Sequence, residues 1–206
     1  MKKPSKPAAP APCSAVALAF TRLLLVGVVA AVSGVTWWYG STVLFDRKSA
    51  LRDALSCASS GLASHGVTTW IVNGTLLGAQ RTGTFVMYDV DVDLAVLHED
   101  GDRNLDEIVK DVALKCSAGK VEVTTSYPRQ WKYCNLRSCL AIHEYVRSTN
   151  GRVRSIDGTT DANYLFPLQP CEVSGVKVNC PLDPSHFLRE AFGHIWTTAP
   201  LAHLFW

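Results

Sequence analysis

The sequence predicts an α/β (α+β) domain, a mixed sheet flanked by helices, preceded by one N-terminal transmembrane helix. Three observations support this fold class. Strand-like and helix-like stretches alternate along the chain. Apolar residues make up 48% of its 206 residues, which is enough for a buried core. One stretch near the N-terminus, residues 23–39, carries no charged side chain.

That stretch lies within residues 15–40, where Arg22 is the only charge. About 20 apolar residues suffice to cross a bilayer. Residues 1–14 are rich in proline and lysine, which predicts a cytosolic tail. We therefore expect a single-pass type II anchor at 15–40, a stem at 41–52 and a lumenal domain at 53–206, in the Golgi or endoplasmic reticulum membrane. A cleaved signal peptide is the alternative.

Charge and cysteine content narrow the class of protein further. The net charge of +2 gives no reason to expect a nucleic-acid partner. The six cysteines beyond the tail are an even number, which favours disulfides in an oxidising compartment. Their pairing stays open, although hairpins could join Cys134 to Cys139 and Cys171 to Cys180. A structural zinc site is the competing interpretation.

Each predicted element follows from a local pattern. Apolar residues at three- and four-residue spacing predict helices at 49–64 and 104–118, and a further short helix at 185–192 follows a capping aspartate or serine. β-Branched and alternating runs predict strands at 67–72, 89–96, 120–125 and 140–146. The Asn73-Gly74 break precedes one helical turn at 75–79. The polar, glycine-containing stretch 150–163 predicts a loop.

The strand at 89–96 carries aspartates at every second position, Asp89, Asp91 and Asp93. Alternate residues of a strand share a face, about 6–7 Å apart. Three carboxylates on one face repel each other unless a cation lies among them, and Mg²⁺ (or Mn²⁺) prefers such oxygen ligands. The upstream turn at Gly74 and Thr75 could offer N–H groups to a phosphate, and Arg81 could bind phosphate oxygens. A simply solvated sheet face is the alternative.

The stretch GTLLGAQRTGTFVMYDVDVDL, from Gly74 to Leu94, resembles the LicD family motif GTLLGAxRxGxFIPWDDDIDI. A second block, with FPL at 166–168 and FGHIW at 192–196, is similar to the family's C-terminal pattern. The resemblance covers roughly residues 53–196.

The resemblance implies a nucleotidyltransferase-like fold and transfer of a phosphate-bearing substituent from a CDP-activated donor to a glycan or glycoconjugate. It implies that Asp91 and Asp93 hold the metal, with Asp89 as a third member of the cluster. It further implies that Gly74, Thr75 and Arg81 bind the donor's phosphates.

The chain departs from the family pattern at the third catalytic acid. The family carries this acid on a later strand, and Ala141 takes its place in LAIHEY, residues 140–145. His143 or Glu144 would then act as ligand or base. The alternative is a catalytically silent homologue that binds nucleotide or glycan and scaffolds glycosylation enzymes. A purely structural membrane-anchored domain is a further alternative.

Overall fold

The computed structural model describes residues 15–87, 89–98, 104–116, 120–124, 126–135, 137–148 and 150–198. The described residues divide into two compact units, with the division after Val43. The helices are α1 (Ala15–Ser64), α2 (Asn73–Thr82), α3 (Leu105–Cys116), α4 (Ala162–Leu165) and α5 (Pro184–Phe192). The strands are β1 (Thr69–Ile71), β2 (Asp91–His98), β3 (Lys120–Val123), β4 (Gln130–Cys134), β5 (Cys139–Arg147), β6 (Arg152–Ser155), β7 (Gly158–Asp161), β8 (Gln169–Val173) and β9 (Val176–Cys180).

Seven strands form one mixed sheet in the second unit. Its order is β1-β2-β5-β4-β3, and β6 pairs with β5 and then with β7. Only β2 and β5 run parallel among these pairs, whereas the other neighbours are antiparallel. β8 and β9 form a separate hairpin. The mixed sheet with helices around it confirms the predicted α/β architecture.

The centre of the sheet is buried on both faces. All residues between the two ends of β2 are buried, as are Leu140 to Tyr145 of β5. Helix residues from α1 and α3 complete the core, and a Cβ at Gly61 of α1 would lie only 2.8 Å from Val112 of α3. Buried apolar area of this kind is the main source of folding free energy.

The N-terminal helix differs from its prediction. The predicted stem at 41–52 and the helix predicted at 49–64 both lie within α1, which is continuous from Ala15 to Ser64. Many side chains of the predicted membrane span 15–40 lie outside the described residues, and so does the predicted tail 1–14. In the part of the chain that is described, no helix combines the length and apolarity needed to cross a bilayer.

The prediction of a loop at residues 150–163 is wrong. This stretch contains the β6–β7 hairpin and the first half of α4. Val153 of β6 pairs with Thr160 of β7, and both side chains are buried. Each strand is only four residues long. β6 pairs with β5 and β7 pairs with β6, and the polar composition of the stretch does not predict this pairing.

The disulfides answer the pairing question that the sequence left open. The six described cysteines form Cys57–Cys116, Cys134–Cys139 and Cys171–Cys180. The second joins the adjoining ends of β4 and β5, and the third closes the β8–β9 hairpin. Because all six are paired with one another, they leave no thiolate for the alternative zinc site.

Candidate active site

The three predicted aspartates meet beside the first turn of α2. A Cβ at Gly74 would lie 2.9 Å from Oδ2 of Asp89 and 3.4 Å from Oδ2 of Asp93, so both carboxylates approach the backbone there. The Asp89 side chain also shares a hydrogen bond with Asp91. A side chain at position 74 would require the Asp89 carboxylate to shift.

Gly74 and Thr75 hold β2 in place. The Gly74 N–H donates to Oδ2 of Asp93 over 3.1 Å, and the Asp93 N–H donates to Oγ1 of Thr75 over 2.8 Å. Thr75 is fully buried. Both residues therefore orient Asp93 in this structure. Their predicted contact with donor phosphates stays a prediction.

Arg81 lies at the opposite end of α2 from the aspartates. Arg81 follows Gly74 by seven positions, which corresponds to about 10 Å along the helix axis. The helix ends just beyond it at Gly83, whose φ of 69° is the left-handed conformation that favours glycine. The predicted contact of Arg81 with donor phosphates stays a prediction.

Burial and mutual repulsion change the protonation of the cluster. Desolvation, followed by the charges of Asp93 and Asp91, raises the pKa of Asp89 to about 8. Asp89 is only 7% exposed, and its Oδ2 atom has no hydrogen-bond partner among the described residues. Asp89 therefore holds a proton at neutral pH in the absence of a cation.

Lys132 and His143 contact the other two aspartates. Lys132 Nζ donates to Oδ2 of Asp91 over 2.9 Å. Burial alone would lower the pKa of Lys132, but its hydrogen bond to Asp91 outweighs this and the pKa is raised. His143 Nε2 lies 3.3 Å from Oδ1 of Asp93. Each of these two carboxylates thus has a positive or proton-bearing neighbour.

His143 lies between two acids, of which the sequence predicted one. Its Nδ1 is 3.0 Å from Oδ2 of Asp157, at the turn of the β6–β7 hairpin. Burial acts to lower the pKa of His143, but its hydrogen bonds to Asp157 and Asp93 raise it to about 9. His143 is therefore protonated at neutral pH. Asp157 was missed because its hairpin was predicted as a loop.

Glu144 is not part of this cluster. Its Oε1 lies 2.7 Å from Nδ1 of His98, and its Oε2 accepts a hydrogen bond from the Arg129 N–H over 2.6 Å. Consecutive residues of a strand point to opposite faces, so Glu144 faces away from His143. The structure places Glu144 in a buried network on the other side of the sheet.

Ala141 occupies the place where the resemblance expects a third acid. It is 1% exposed and pairs with Asp93 on β2 and with Lys132 on β4. A carboxylate here would lie between these two side chains. Lys132 thus stands on the neighbouring strand, directly beside the missing acid.

A divalent cation would suit the cluster's charge but not its present contacts. In the described part of the chain, no three carboxylate, imidazole or thiolate groups are spaced as a ready metal site. Asp91 is in contact with Lys132 and Asp93 with His143. The unpaired oxygen and raised pKa of Asp89 are nevertheless what a cation among three carboxylates would relieve, so the residues present fit such an ion once Lys132 moves aside.

The fold and this cluster define a protein of the nucleotidyltransferase type. A model of the LicD/FKTN/FKRP nucleotidyltransferase domain matches residues 66–183, which is more than half of the chain. The chain belongs to this family, as its resemblance predicted.

Individual relatives are distant. The chain is 27% identical over 139 residues to the uncharacterized protein RP689 of Rickettsia prowazekii (strain Madrid E), covering 64% of this chain and 49% of that protein. It thus spans about half the length of this curated relative.

Two solved structures are similar. A crystal structure of ANT(2")-Ia in complex with adenylyl-2"-tobramycin has a TM-score of 0.50 and 14% identity, covering 72% of this chain and 80% of that one. That of the lincosamide antibiotic adenylyltransferase LnuA, lincomycin-bound, has a TM-score of 0.41 and 16% identity, covering 58% and 73%. At 14% identity, the similarity to ANT(2")-Ia supports the fold alone.

Proposed function

We propose that this protein transfers a phosphate-bearing substituent, of the phosphocholine or polyol-phosphate type, from a CDP-activated donor to a glycan acceptor in a metal-dependent reaction. The observation that carries the proposal is the convergence of Asp89, Asp91 and Asp93 beside the N-terminal turn of α2. Packing alone does not call for three acids at one point, one of which, Asp89, has a raised pKa. Family membership supports the transferase class.

Asp91 and Asp93 would hold Mg²⁺ (or Mn²⁺), and Asp89 would complete the cluster after losing its proton. When bound, the ion would offset the charge that develops on the donor's diphosphate. The chain's own contribution is orientation, because Gly74 and Thr75 already hold Asp93 by two hydrogen bonds. Lys132, once displaced from Asp91, would stand free to bind a phosphate oxygen.

A specific observation favours a second candidate function. Ala141 removes one acid, and His143 is protonated at neutral pH, so neither supplies a proton acceptor in the state observed. A missing general base typically costs about 10²–10⁴ in rate. A catalytically silent protein that binds nucleotide or glycan and scaffolds glycosylation enzymes is the function that this observation supports.

The proposed location is the lumen of the Golgi or endoplasmic reticulum. Three disulfides among the described residues support an oxidising compartment, since thiols are kept reduced in the cytosol. Localisation by microscopy, with and without residues 1–40, tests this part of the proposal.

Binding tests the proposed function directly. The full chain is titrated with CDP-choline and CDP-ribitol, with and without Mg²⁺, while the thermal midpoint is followed. A ligand that binds the native state raises this midpoint by mass action. We expect a Mg²⁺-dependent rise that Asp93→Asn abolishes and that the exposed control Asp53→Asn retains.

Turnover then separates the two candidates. Release of CMP in the presence of a glycan acceptor supports the transferase. Metal-dependent binding without release supports the silent homologue, and no shift with either nucleotide contradicts both nucleotide-binding proposals.

A further inference from the structure

Asn73 begins α2 in an uncommon backbone conformation. Its φ is 45°, and besides it only Ser174 has a positive φ among the non-glycine residues that the structure describes. Such conformations cost free energy, so they persist only where neighbouring groups hold them, and they are frequent at functional sites. The contacts of Asn73 therefore bear on the turn that it begins.

The conformation of Asn73 matters because the next peptide N–H reaches Asp93. The Gly74 N–H donates to Oδ2 of Asp93 over 3.1 Å, and both residues are buried. The backbone of Asn73 orients the rigid peptide plane that carries this N–H. Val72, at the N-cap position, makes no side-chain hydrogen bond to the helix. The first turn of α2 thus depends on contacts from elsewhere in the fold.

Asp157 supplies such a contact. It lies at the turn between β6 and β7, and its carboxylate accepts a hydrogen bond from the Asn73 side chain. A carboxylate has two acceptor oxygens, so Asp157 can hold Asn73 while it contacts a second donor. The β6–β7 hairpin is thereby joined to the start of α2.

Two further contacts fix Asp157 itself. Its Oδ2 lies 3.0 Å from Nδ1 of His143 on β5, whose side chain is only 3% exposed. The Asp157 N–H donates to Oγ of Ser155 over 3.1 Å, and the buried Ser155 is in turn hydrogen-bonded to the Tyr145 hydroxyl of β5. Side chains locked by buried neighbours can hold other groups in place. Asp157 is therefore anchored to β5 although half of its side chain is exposed.

The carboxylate of Asp157 stands close to a cluster that already repels itself. One intervening residue, either Asn73 or His143, separates it from Asp93. A further acid at this distance raises the electrostatic cost of the cluster, so packing alone does not favour it. A carboxylate that holds the Asn73 amide has a reason to be there.

We propose that Asp157 is a positioning residue: from its anchor on β5 it holds Asn73, and through Asn73 it holds the Gly74 N–H against Asp93. An Asp93 side chain that is already oriented binds a divalent ion at a lower entropic cost. This benefit for metal binding rests on the transferase proposed above, whereas the positioning of Gly74 does not.

Amide hydrogen exchange, followed by NMR on the full chain, tests the positioning without metal or nucleotide. We expect Asp157→Ala to lower the protection of the Gly74 N–H about tenfold. The matched control Glu172→Ala removes an exposed acid from β8 and should leave that protection unchanged. Lost protection confined to amides of the β6–β7 hairpin would mean that Asp157 stabilises only its own hairpin, which overturns the proposal.

Asn73→Gly tests the same contact from its other side and guards against a folding defect in Asp157→Ala. Glycine adopts a positive φ readily, so this variant removes the side-chain contact without straining the backbone. We expect a similar loss of Gly74 protection, and the double variant should lose no more than either single variant, because both remove one shared contact. Losses that multiply in the double variant overturn the proposal.

Mg²⁺ affinity, measured by isothermal titration, connects the positioning to the site. We expect Asp157→Ala and Asn73→Gly each to weaken Mg²⁺ binding about tenfold. Asn73→Gly leaves the net charge unchanged, so its loss of affinity cannot come from removal of a negative charge.

The two proposals fail in distinguishable ways. If both variants lower Gly74 protection while the wild type binds neither Mg²⁺ nor a CDP-ligand, the positioning stands and the transferase proposal falls. If the wild type binds Mg²⁺ and CDP-ligands and both variants bind them equally tightly, the transferase proposal stands and the positioning role of Asp157 falls.

Discussion

Lys132 on β4 donates a hydrogen bond to Asp91 on β2 from the position directly beside Ala141 on β5. A positive charge thus stands next to the place where family resemblance expects a negative one. The cluster thus carries an ammonium group where the resemblance expects a third acid, and this group would compete with a metal ion for Asp91.

Replacing Lys132 should strengthen metal binding. Lys132→Met removes the ammonium group that competes for Asp91, and we expect the Mg²⁺ dissociation constant to fall about threefold to tenfold. The estimate is modest because Lys132 is partly exposed and its contact is screened by solvent. Isothermal titration with Mg²⁺ measures the effect.

Lys110→Met is the matched control. Lys110 pairs with Asp106 on α3 through a contact of 2.6 Å and does not touch the cluster. An unchanged or weaker Mg²⁺ affinity in Lys132→Met would mean that Lys132 does not compete with the ion.

Restoring the third acid should make folding stability depend on metal. Ala141→Asp places a carboxylate at a buried position between Asp93 and Lys132. Without Mg²⁺ we expect a loss of about 2–4 kcal/mol in the free energy of unfolding, because a charge is buried beside a like charge. Saturating Mg²⁺ should recover most of that loss.

Urea unfolding with and without Mg²⁺ measures this recovery. Ala141→Asn, of nearly equal volume and no charge, should show no recovery. Equal losses for Ala141→Asp under both conditions would exclude position 141 from the metal site. Any gain in CMP release by Ala141→Asp would identify the missing acid as the limit on catalysis.

Asp89 should make the protein less stable as pH rises. Its pKa is raised from 3.8 to about 8 in the folded state, so the folded chain binds a proton more tightly than the unfolded chain. Its contribution is therefore fully present below about pH 4 and is lost as pH rises through about 8. The pKa of His143 is also raised, to about 9, so His143 further lowers the stability of the fold as pH rises above about 6.5.

The interval between pH 4 and 6.5 isolates Asp89 from His143. In that interval we expect Asp89→Asn to gain stability relative to the wild type as pH rises, on the order of 2–3 kcal/mol in total. Chemical unfolding at half-unit pH steps measures the difference. A constant difference across the interval would show that the pKa of Asp89 is not raised.

The parts of this molecule that could be predicted from sequence are those set by local periodicity. The spacing of Asp91 and Asp93 predicts β2, and the apolar positions of residues 104–118 predict α3. The β6–β7 hairpin could not be predicted in this way, because β6 is held by its pairing with β5 and only Val153, Ser155 and Thr160 are buried in its two strands.

The residues of the site also divide into those that local sequence predicts and those that only the tertiary fold brings together. Its aspartates are visible in the sequence, whereas Asp157 and Lys132 reach the cluster only through the tertiary fold. The sequence of β4 does contain a strand pattern. Trp131 and Tyr133, which are buried, alternate with the half-buried Lys132. The sequence predicts either His143 or Glu144 as ligand or base, and the alternation of β5 turns Glu144 to the other face.

Glu144 should matter for stability and not for ligand binding. Glu144→Gln weakens a buried contact to His98 and a hydrogen bond from the Arg129 backbone. We expect a loss of about 1–3 kcal/mol in the free energy of unfolding with an unchanged CDP-ligand response. Abolished binding in a variant that remains folded would place Glu144 in the active site after all.

The disulfide Cys57–Cys116 should contribute the most stability of the three. It joins α1 to α3 across a sequence separation of 59, whereas Cys134–Cys139 spans only 5. Cross-links restrict the unfolded chain more as the closed loop grows, which predicts losses of about 4 and about 2 kcal/mol when each pair is replaced by serine. Urea unfolding of the two double variants under non-reducing conditions measures both values.

Replacement of Cys171 and Cys180, with a separation of 9, should give an intermediate loss and serves as the internal control. The order of the three losses is the sharper result, because strain or residual structure can change any single value. If the Cys134–Cys139 pair contributes the most, its role lies in the folded state. That pair would then act by holding the start of β5, and so the strand that carries Ala141 and His143, against β4.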